Sequence, residues 1–185
     1  MNKSIDPRVT RTRRLLMDAL TELIVEEGVE AITVREIVRK AEVNRSTFYL
    51  HFRDKQNIVN HMQDDILNKL SESLKSPIYT YELALHDYQV SKKPIQSHTT
   101  MFEHVQKHAS IYRTMLIEGE FRERITQVIR TEALRYQPSF WEAAFVSNGV
   151  VGVILYWLEN GMKESIIEMS LWLTRVSLFP LGKFD

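Results

Sequence analysis

Between Arg45 and His51 the chain packs Arg45, Ser46, Thr47, Tyr49 and His51 into one turn and a half, with Lys55 four residues on. Short hydroxyls, a phenol, an imidazole and cations are the groups that reach phosphates and base edges of duplex DNA. Arg45 can offer a guanidinium to a guanine edge, and Arg35 lies early enough in the preceding segment to do the same. Leu50 sits in their midst. Facing water it makes little sense; facing a thymine methyl it makes good sense. Lys55 opens a further segment, where backbone N–H groups and the ammonium suit a phosphate.

These side chains need a scaffold, and residues 33–55, TVREIVRKAEVNRSTFYLHFRDK, provide one. Thr33 is a good N-cap for a helix running from Val34 to Ala41, and Asn44 for a second helix reaching Phe52. Glu42, Val43 and Asn44 form the turn between them, the spacing of a helix-turn-helix. With helical periodicity, Phe48 and Phe52 mark the buried side of the second helix, against Val34, Ile37, Ala41 and Val43. The opposite side presents Ser46, Thr47 and Leu50, edged by Arg45 and Tyr49 and by His51. The expected DNA-binding set is therefore Thr33, Arg35, Asn44, Arg45, Ser46, Thr47, Tyr49, Leu50, His51 and Lys55. A plain helical hairpin with a solvated outer face is the competing account. It explains the spacing but not the outward chemistry.

Residues 10–58 resemble the DNA-binding head of the TetR/AcrR family of bacterial transcriptional regulators. That family's run is roughly T-x-x-x-I-A-x-x-A-G-V-S-x-x-T-x-Y-x-H-F-x-x-K. Thr33, Ile37, Ala41, Val43, Thr47, Tyr49, His51, Phe52 and Lys55 match it. Val38, Glu42 and Asn44 depart from it. Asn44 caps as well as Ser, and Val38 adjusts packing. Glu42 stands where the turn favours a left-handed backbone, at a cost on the order of 1 kcal/mol relative to Gly. The resemblance implies a dimer of DNA-binding heads, released or engaged by an effector in a second domain.

Composition is compatible with that size of molecule. The 185 residues, 44% hydrophobic, can build a small head and a larger core-bearing domain. Net charge is zero, so any basic character must be local. Residues 1–55 hold 11 Lys/Arg against 9 Asp/Glu, a balance of +2. Lys3, Arg8, Arg11, Arg13 and Arg14 face only Asp6 there, which suggests either a basic arm for the backbone or minor groove or a frayed terminus. There is no cysteine, hence no disulfide or thiolate chemistry. The first residues are polar with no apolar signal core, and a cytoplasmic protein is expected. The apolar run Ala143–Leu158 is shorter than a membrane span needs and contains Asn148, so a buried helix is expected and no membrane partner.

Nearly every segment reads as helix, giving an all-α fold: a three-helix head over 1–55 and a helical dimerisation and effector-binding domain over 56–185. The first helix covers Val9 to Glu27 and stops at Gly28; a fourth starts near Lys55 and is broken or restarted at Pro77. Residues 91–94, SKKP, form a loop, with helices following at Ile95–Lys107, Ala109–Ile117, Phe121–Tyr136, Pro138–Gly161 and Ser165–Phe179. Pro138–Gly161 is apolar around nearly its whole circumference and needs cover on every side. A homodimer interface is therefore expected at Val146, Val150, Val153, Ile154, Trp157, Leu173 and Val176, with monomeric core as the alternative.

A small hydrophobic effector would find Phe102, Tyr112, Met115, Phe121, Phe145 and Tyr156 nearby, although such residues at helical spacing usually form core. His104 and His108 have the spacing of two metal ligands, yet exposed histidines on a polar face are the simpler account, and no metal is expected. No nucleophile elbow, phosphate loop or zinc-protease signature is present, so neither an enzyme nor a cofactor is expected. The function expected is sequence-specific transcriptional regulation on a double-stranded operator. A repressor released by an effector is set against an adaptor or activator working through a protein partner.

Overall fold

The computed structural model describes residues 7–75, 80–117, 119–135 and 139–179. Among these the chain forms ten helices and no strand. In order they are α1 (Pro7–Glu27), α2 (Val34–Lys40), α3 (Arg45–His51), α4 (Lys55–Leu74), α5 (Tyr81–Ser91), α6 (Gln96–Lys107), α7 (Ala109–Met115), α8 (Gly119–Ala133), α9 (Phe140–Glu159) and α10 (Ile166–Leu178). The chain divides into two compact units between Ile66 and Leu67, part-way along α4.

In the first unit, α1 buries Leu16, Ala19, Leu20, Leu23 and Ile24 along one face and packs on α2 and α3. Gly28 ends α1 with φ 78°, its N–H donating to the Ile24 carbonyl at 3.0 Å. Pro7 stands in the first turn, where its missing N–H costs nothing. The expected basic arm is corrected here: Arg8, Arg11, Arg13 and Arg14 belong to α1 itself, while Lys3 and Asp6 lie outside the described residues. Arg13 lies over the Phe52 ring at 5.0 Å, and Arg14 pairs with Asp18 at 3.7 Å.

Thr33 caps α2 as expected, and more fully. Its hydroxyl oxygen accepts from the Glu36 N–H at 3.3 Å, while the Glu36 carboxylate accepts from the Thr33 N–H at 2.7 Å. These bonds to Thr33 lower the Glu36 pKa. The turn after α2 closes with the Val43 N–H donating to the Val38 carbonyl at 3.0 Å and the Glu42 N–H to the Arg39 carbonyl at 3.3 Å. Glu42 sits at φ 55°, the left-handed backbone anticipated for that turn. Asn44 occupies the N-cap position of α3, but its side chain makes no capping hydrogen bond. It contributes extended backbone, and its carbonyl accepts from the Phe48 N–H at 3.1 Å.

The second unit pairs α6 with α10 and α8 with α9, and α7 fills in against α6 and α9. Helix α5 was not anticipated, and the break expected at Pro77 lies outside the described residues. Thr80 caps α5 by accepting from the Leu83 N–H at 3.2 Å, and Ala84 joins Ile95 and Leu178 in a small core flanked by Leu85, Tyr88 and Phe179. The expected Pro138 start of the next-to-last helix and the Tyr136 end of its predecessor also lie outside the described residues.

Helix α9 begins at a Ser139 cap and ends at Gly161, φ 79°, where the Met162 N–H returns to the Trp157 carbonyl at 2.8 Å. By length and composition it is apolar enough to cross a membrane. In the fold, Ala143, Ser147, Val150, Val151, Ile154, Trp157 and Leu158 are buried inside the unit. Its other side is not covered: Trp141, Phe145, Gly149, Gly152 and Tyr156 form an exposed stripe. Helix α10 adds exposed Ile167 and Trp172.

Candidate functional site

Helix α3 has two sharply different faces. Phe48 is fully buried and Phe52, its C-cap, is 1% exposed, with Ile37 and Ala41 buried beside them. The Phe48 and Phe52 rings lie 5.8 Å apart, and Tyr49 meets Phe48 edge-on at 5.4 Å. This aromatic anchor sets the rotation of α3. It sends Leu50 into solvent with 83% of its surface exposed, beside exposed Arg45, Ser46 and Tyr49 and half-buried Thr47. His51 stands half-buried at the edge, its ring 6.4 Å from Phe52.

The polar groups are partly organised already. Arg45 donates from Nη2 to the Tyr49 Oη at 3.1 Å, one turn along, with its guanidinium 5.7 Å from the Tyr49 ring. A pair held this way presents a cation and a hydroxyl together at the N-terminal end of the outward face. Arg35 is exposed on α2, and Asn44 is exposed in the turn. Thr33 is exposed too, but its hydroxyl is occupied with Glu36.

Lys55, expected to offer its ammonium to a phosphate, also has partners within the chain. Its Nζ donates to the carbonyls of Val29 at 3.1 Å and Glu30 at 3.2 Å. Those carbonyls belong to the loop between α1 and α2. The ammonium therefore ties the start of α4 to that loop.

The second unit contains an apolar cavity of about 320 Å³. Its walls include Leu74 of α4, Tyr81, Ile95, Met101, Ile129, Val146, Val150 and Leu173, with Ser97, His98, Glu132 and Ser177 as the polar members. None of the six residues expected near an effector lines this cavity. Phe102, Tyr112, Met115 and Phe121 are fully buried in core packing, and Phe145 and Tyr156 point outward at 68% and 67% exposure. Sequence reasoning missed His98 and Glu132, although each carried a signal. Glu132 continues the apolar stripe Phe121, Ile125, Ile129 of α8, and His98 stands one turn before Met101 and Phe102 and two before Val105.

The expected dimer residues also need correction. Val150, Ile154, Trp157 and Leu173 are at most 7% exposed within a single chain, so they hold its own core. Val146, Val153 and Val176 are only half-buried. On α9 the large apolar side chains left exposed include Trp141, Phe145 and Tyr156, with Ile167 and Trp172 on α10.

His104 and His108, expected on a polar face, are buried and half-buried respectively, with rings 4.8 Å apart and His104 edge-on to Tyr112 at 5.9 Å. Burial, and secondarily the neighbouring His108, lowers the His104 pKa to about 4. Among the described residues no third His, Cys, Asp or Glu joins them in a group able to hold a metal ion.

Two family models match the chain. One, described as bacterial regulatory proteins of the tetR family, covers residues 16–62. The other, described as a transcriptional regulator C-terminal region, covers residues 92–177. The chain belongs to the TetR family. Members of this family are DNA-binding transcriptional regulators, not enzymes. Among curated proteins this TetR-family chain is similar to YxbF of Bacillus subtilis, an uncharacterised HTH-type transcriptional regulator. The two are 25% identical over 166 residues, 84% of this chain and 42% of that protein. It is also similar to YdeS of the same organism, 23% identical over 68% of this chain and 58% of that protein. The chain thus spans about half the length of these curated relatives. Among solved structures, a TetR transcriptional regulator from Streptococcus agalactiae superposes with a TM-score of 0.67, at 18% identity over 92% of this chain and 96% of that one. The fatty acid degradation regulator FadR of Bacillus halodurans gives 0.68 at 14% identity over 93% and 99%. At these identities the structural likeness speaks for the fold.

Proposed function

We propose that this chain is a sequence-specific transcriptional repressor that acts in the cytoplasm as a homodimer on a near-palindromic operator and is released by a small effector. The observation that carries the DNA reading is the polarity of α3: Phe48 fully buried, Leu50 83% exposed. A leucine held out in water beside Arg45, Ser46 and Tyr49 gains a partner in the major groove, where thymine offers a methyl and guanine two acceptors. In this reading residues 1–55 bind DNA and residues 56–185 dimerise and take the effector.

Dimerisation is supported by the exposed stripe on α9. Trp141, Phe145 and Tyr156 leave more than half of their surface in water, and nothing stands within 4 Å of a side chain built on Gly149 or Gly152. An apolar, small-residue face of this kind lets a symmetry-related helix approach closely. Two heads then meet successive major grooves about 34–36 Å apart, or a multiple of that. Effector control is supported by α4, which is one continuous helix. Leu74 near its C-terminal end lines the cavity, and Lys55 at its other end clamps the loop before α2. A ligand that favours one arrangement of α4 shifts the population of heads that fit DNA. The cavity favours this reading over an adaptor that senses no small molecule.

The test is stoichiometry and salt dependence on one duplex carrying an inverted repeat. The expected result is a single complex of two chains per duplex, with affinity falling steeply between 50 and 200 mM salt. One chain per duplex, or equal affinity for scrambled DNA, overturns the proposal.

A further inference from the structure

The apolar cavity of the second unit has one polar group whose hydrogen bonding its own chain leaves unfinished. His98 reaches the cavity from the first turn of α6. The ring is half-buried by surface, yet burial lowers its pKa to about 3, so it is neutral at pH 7. The two agree when the surface it retains is cavity wall rather than outer surface.

Hydrogen bonds fix which ring nitrogen carries the proton. Nδ1 lies 3.0 Å from the Oγ1 of Thr174, a fully buried residue, and that oxygen already accepts from the Ile95 N–H at 2.9 Å. Among the described residues no other acceptor bonds the Thr174 hydroxyl. The hydroxyl therefore donates to Nδ1, and the ring proton sits on Nε2. That nitrogen has no partner among the described residues and, unlike the enclosed Nε2 of His104, is not walled in. It is an open donor on the cavity wall.

The wall offers an occupant no free charge. No Lys or Arg lines it, and its acidic member, Glu132, is already paired with Arg135 at 3.3 Å. Tyr81 spends its hydroxyl on the Leu178 carbonyl at 3.0 Å, leaving Ser97 and Ser177 as neutral company for His98. A carboxylate or an ammonium entering here gives up its hydration without meeting an opposite charge.

We propose that the cavity takes a compact, uncharged and mostly apolar molecule with one carbonyl-type acceptor, which receives the His98 Nε2–H while the body lies against Ile95, Met101, Ile129, Val150 and Leu173. The proposal rests on the reading of the cavity as an effector site, and adds the chemistry of the occupant. Compactness follows from the volume: about 320 Å³ is near the lower end of small-molecule sites, roughly 300–1,000 Å³.

Methyl heptanoate, octanoate and octylammonium have the same number of carbons and differ in charge. Each is titrated into the full, isotopically labelled chain at pH 7, below micelle-forming concentrations, with binding read by calorimetry and by the His98 ring-nitrogen resonances. The free chain should show a neutral His98 protonated on Nε2. Methyl heptanoate should move that resonance saturably and bind roughly tenfold or more tightly than either ion. His98→Phe keeps a ring but removes the donor, and should weaken methyl heptanoate by roughly tenfold. The resonances of the parent chain decide the matter even if that variant folds poorly. A ring protonated on Nδ1, an Nε2 resonance unmoved at saturating ester, or an ion binding as tightly as the ester overturns the proposal and leaves the effector site standing. Absence of binding by all three probes overturns both.

Discussion

Replacing Leu50 by Ala removes a side chain that the free protein holds 83% exposed, so the fold should hardly register the loss. Leu and Ala are both good helix formers, and the expected change in unfolding free energy is within about 0.5 kcal/mol. Operator binding should respond strongly. Burying a leucine fully is worth about 1.5–3 kcal/mol, and contact with a thymine methyl buries most of it. A loss of about 1–2 kcal/mol at each recognition helix becomes about 2–4 kcal/mol for a dimer, roughly 30- to 1,000-fold in Kd. Leu50 touches no phosphate in this account, so the slope of log Kd against log salt should stay as it is. Fluorescence anisotropy on a labelled operator duplex at several salt concentrations, with a thermal melt of each variant, reads all three quantities. Phe48→Ala is the contrast. That ring is fully buried, and its loss should cost about 3–5 kcal/mol of stability, with binding lost through unfolding of the head. If Leu50→Ala binds within twofold of the parent at an unchanged Tm, the outward face of α3 is not the groove surface and the reasoning fails.

Four further outcomes follow from the same structure. Glu42→Gly relieves a left-handed backbone at φ 55°, worth about 1–2 kcal/mol, and gives back about 0.4–1 kcal/mol in chain entropy, so a Tm higher by about 2 °C is expected in calorimetry. Lys55→Met strips the clamp from the Val29 and Glu30 carbonyls; it should destabilise the chain by about 1–3 kcal/mol in urea, and an unchanged midpoint would contradict the clamp. Acidification should destabilise the second unit: His98 is neutral when folded, with a pKa lowered to about 3 against 6.5, so the unfolded chain binds the extra proton. His98 then contributes stability that is intact above pH 6.5 and lost by about 1.4 kcal/mol per pH unit below it, in addition to the loss from His104, whose pKa is also lowered; His98→Gln should remove the His98 share and leave a shallower slope in urea titrations at pH 7.5 and 5.5. Phe145→Glu together with Tyr156→Glu should yield a monomer by sedimentation at micromolar concentration with the fold retained, because both side chains are already in solvent in the single chain.

How much could be read ahead of the structure depended on how local each feature is. The α2–turn–α3 segment was legible because caps, turn residues and the Phe48/Phe52 spacing act within a dozen residues, and even the left-handed backbone at Glu42 followed from its place in the turn. The Lys55 contacts within the chain were not legible because their acceptors, Val29 and Glu30, lie 26 and 25 residues away. Helix α5 escaped notice because it buries only Ala84, leaving too faint a stripe to mark a face. The cavity was least legible. Apolar spacing tells which residues turn inward, as it did for Phe102 and Tyr112, but whether inward means core or cavity depends on how α6, α8 and α10 leave a gap. The continuous apolar character of α9 likewise concealed which half faced its own chain: Val150, Ile154 and Trp157 turned in, Trp141, Phe145 and Tyr156 out.

The central claim is that two copies of the outward face of α3 read one operator. Selection of bound sequences from a random duplex pool tests it most directly, performed in parallel with the parent chain and with Leu50→Ala. The account predicts an enriched inverted repeat with half-site centres about 10–10.5 base pairs apart or a multiple of that, and loss of information in the Leu50→Ala pool at a thymine position in each half-site. A pool without enrichment, a single half-site with no symmetric partner, or the same motif recovered unchanged by Leu50→Ala would contradict it.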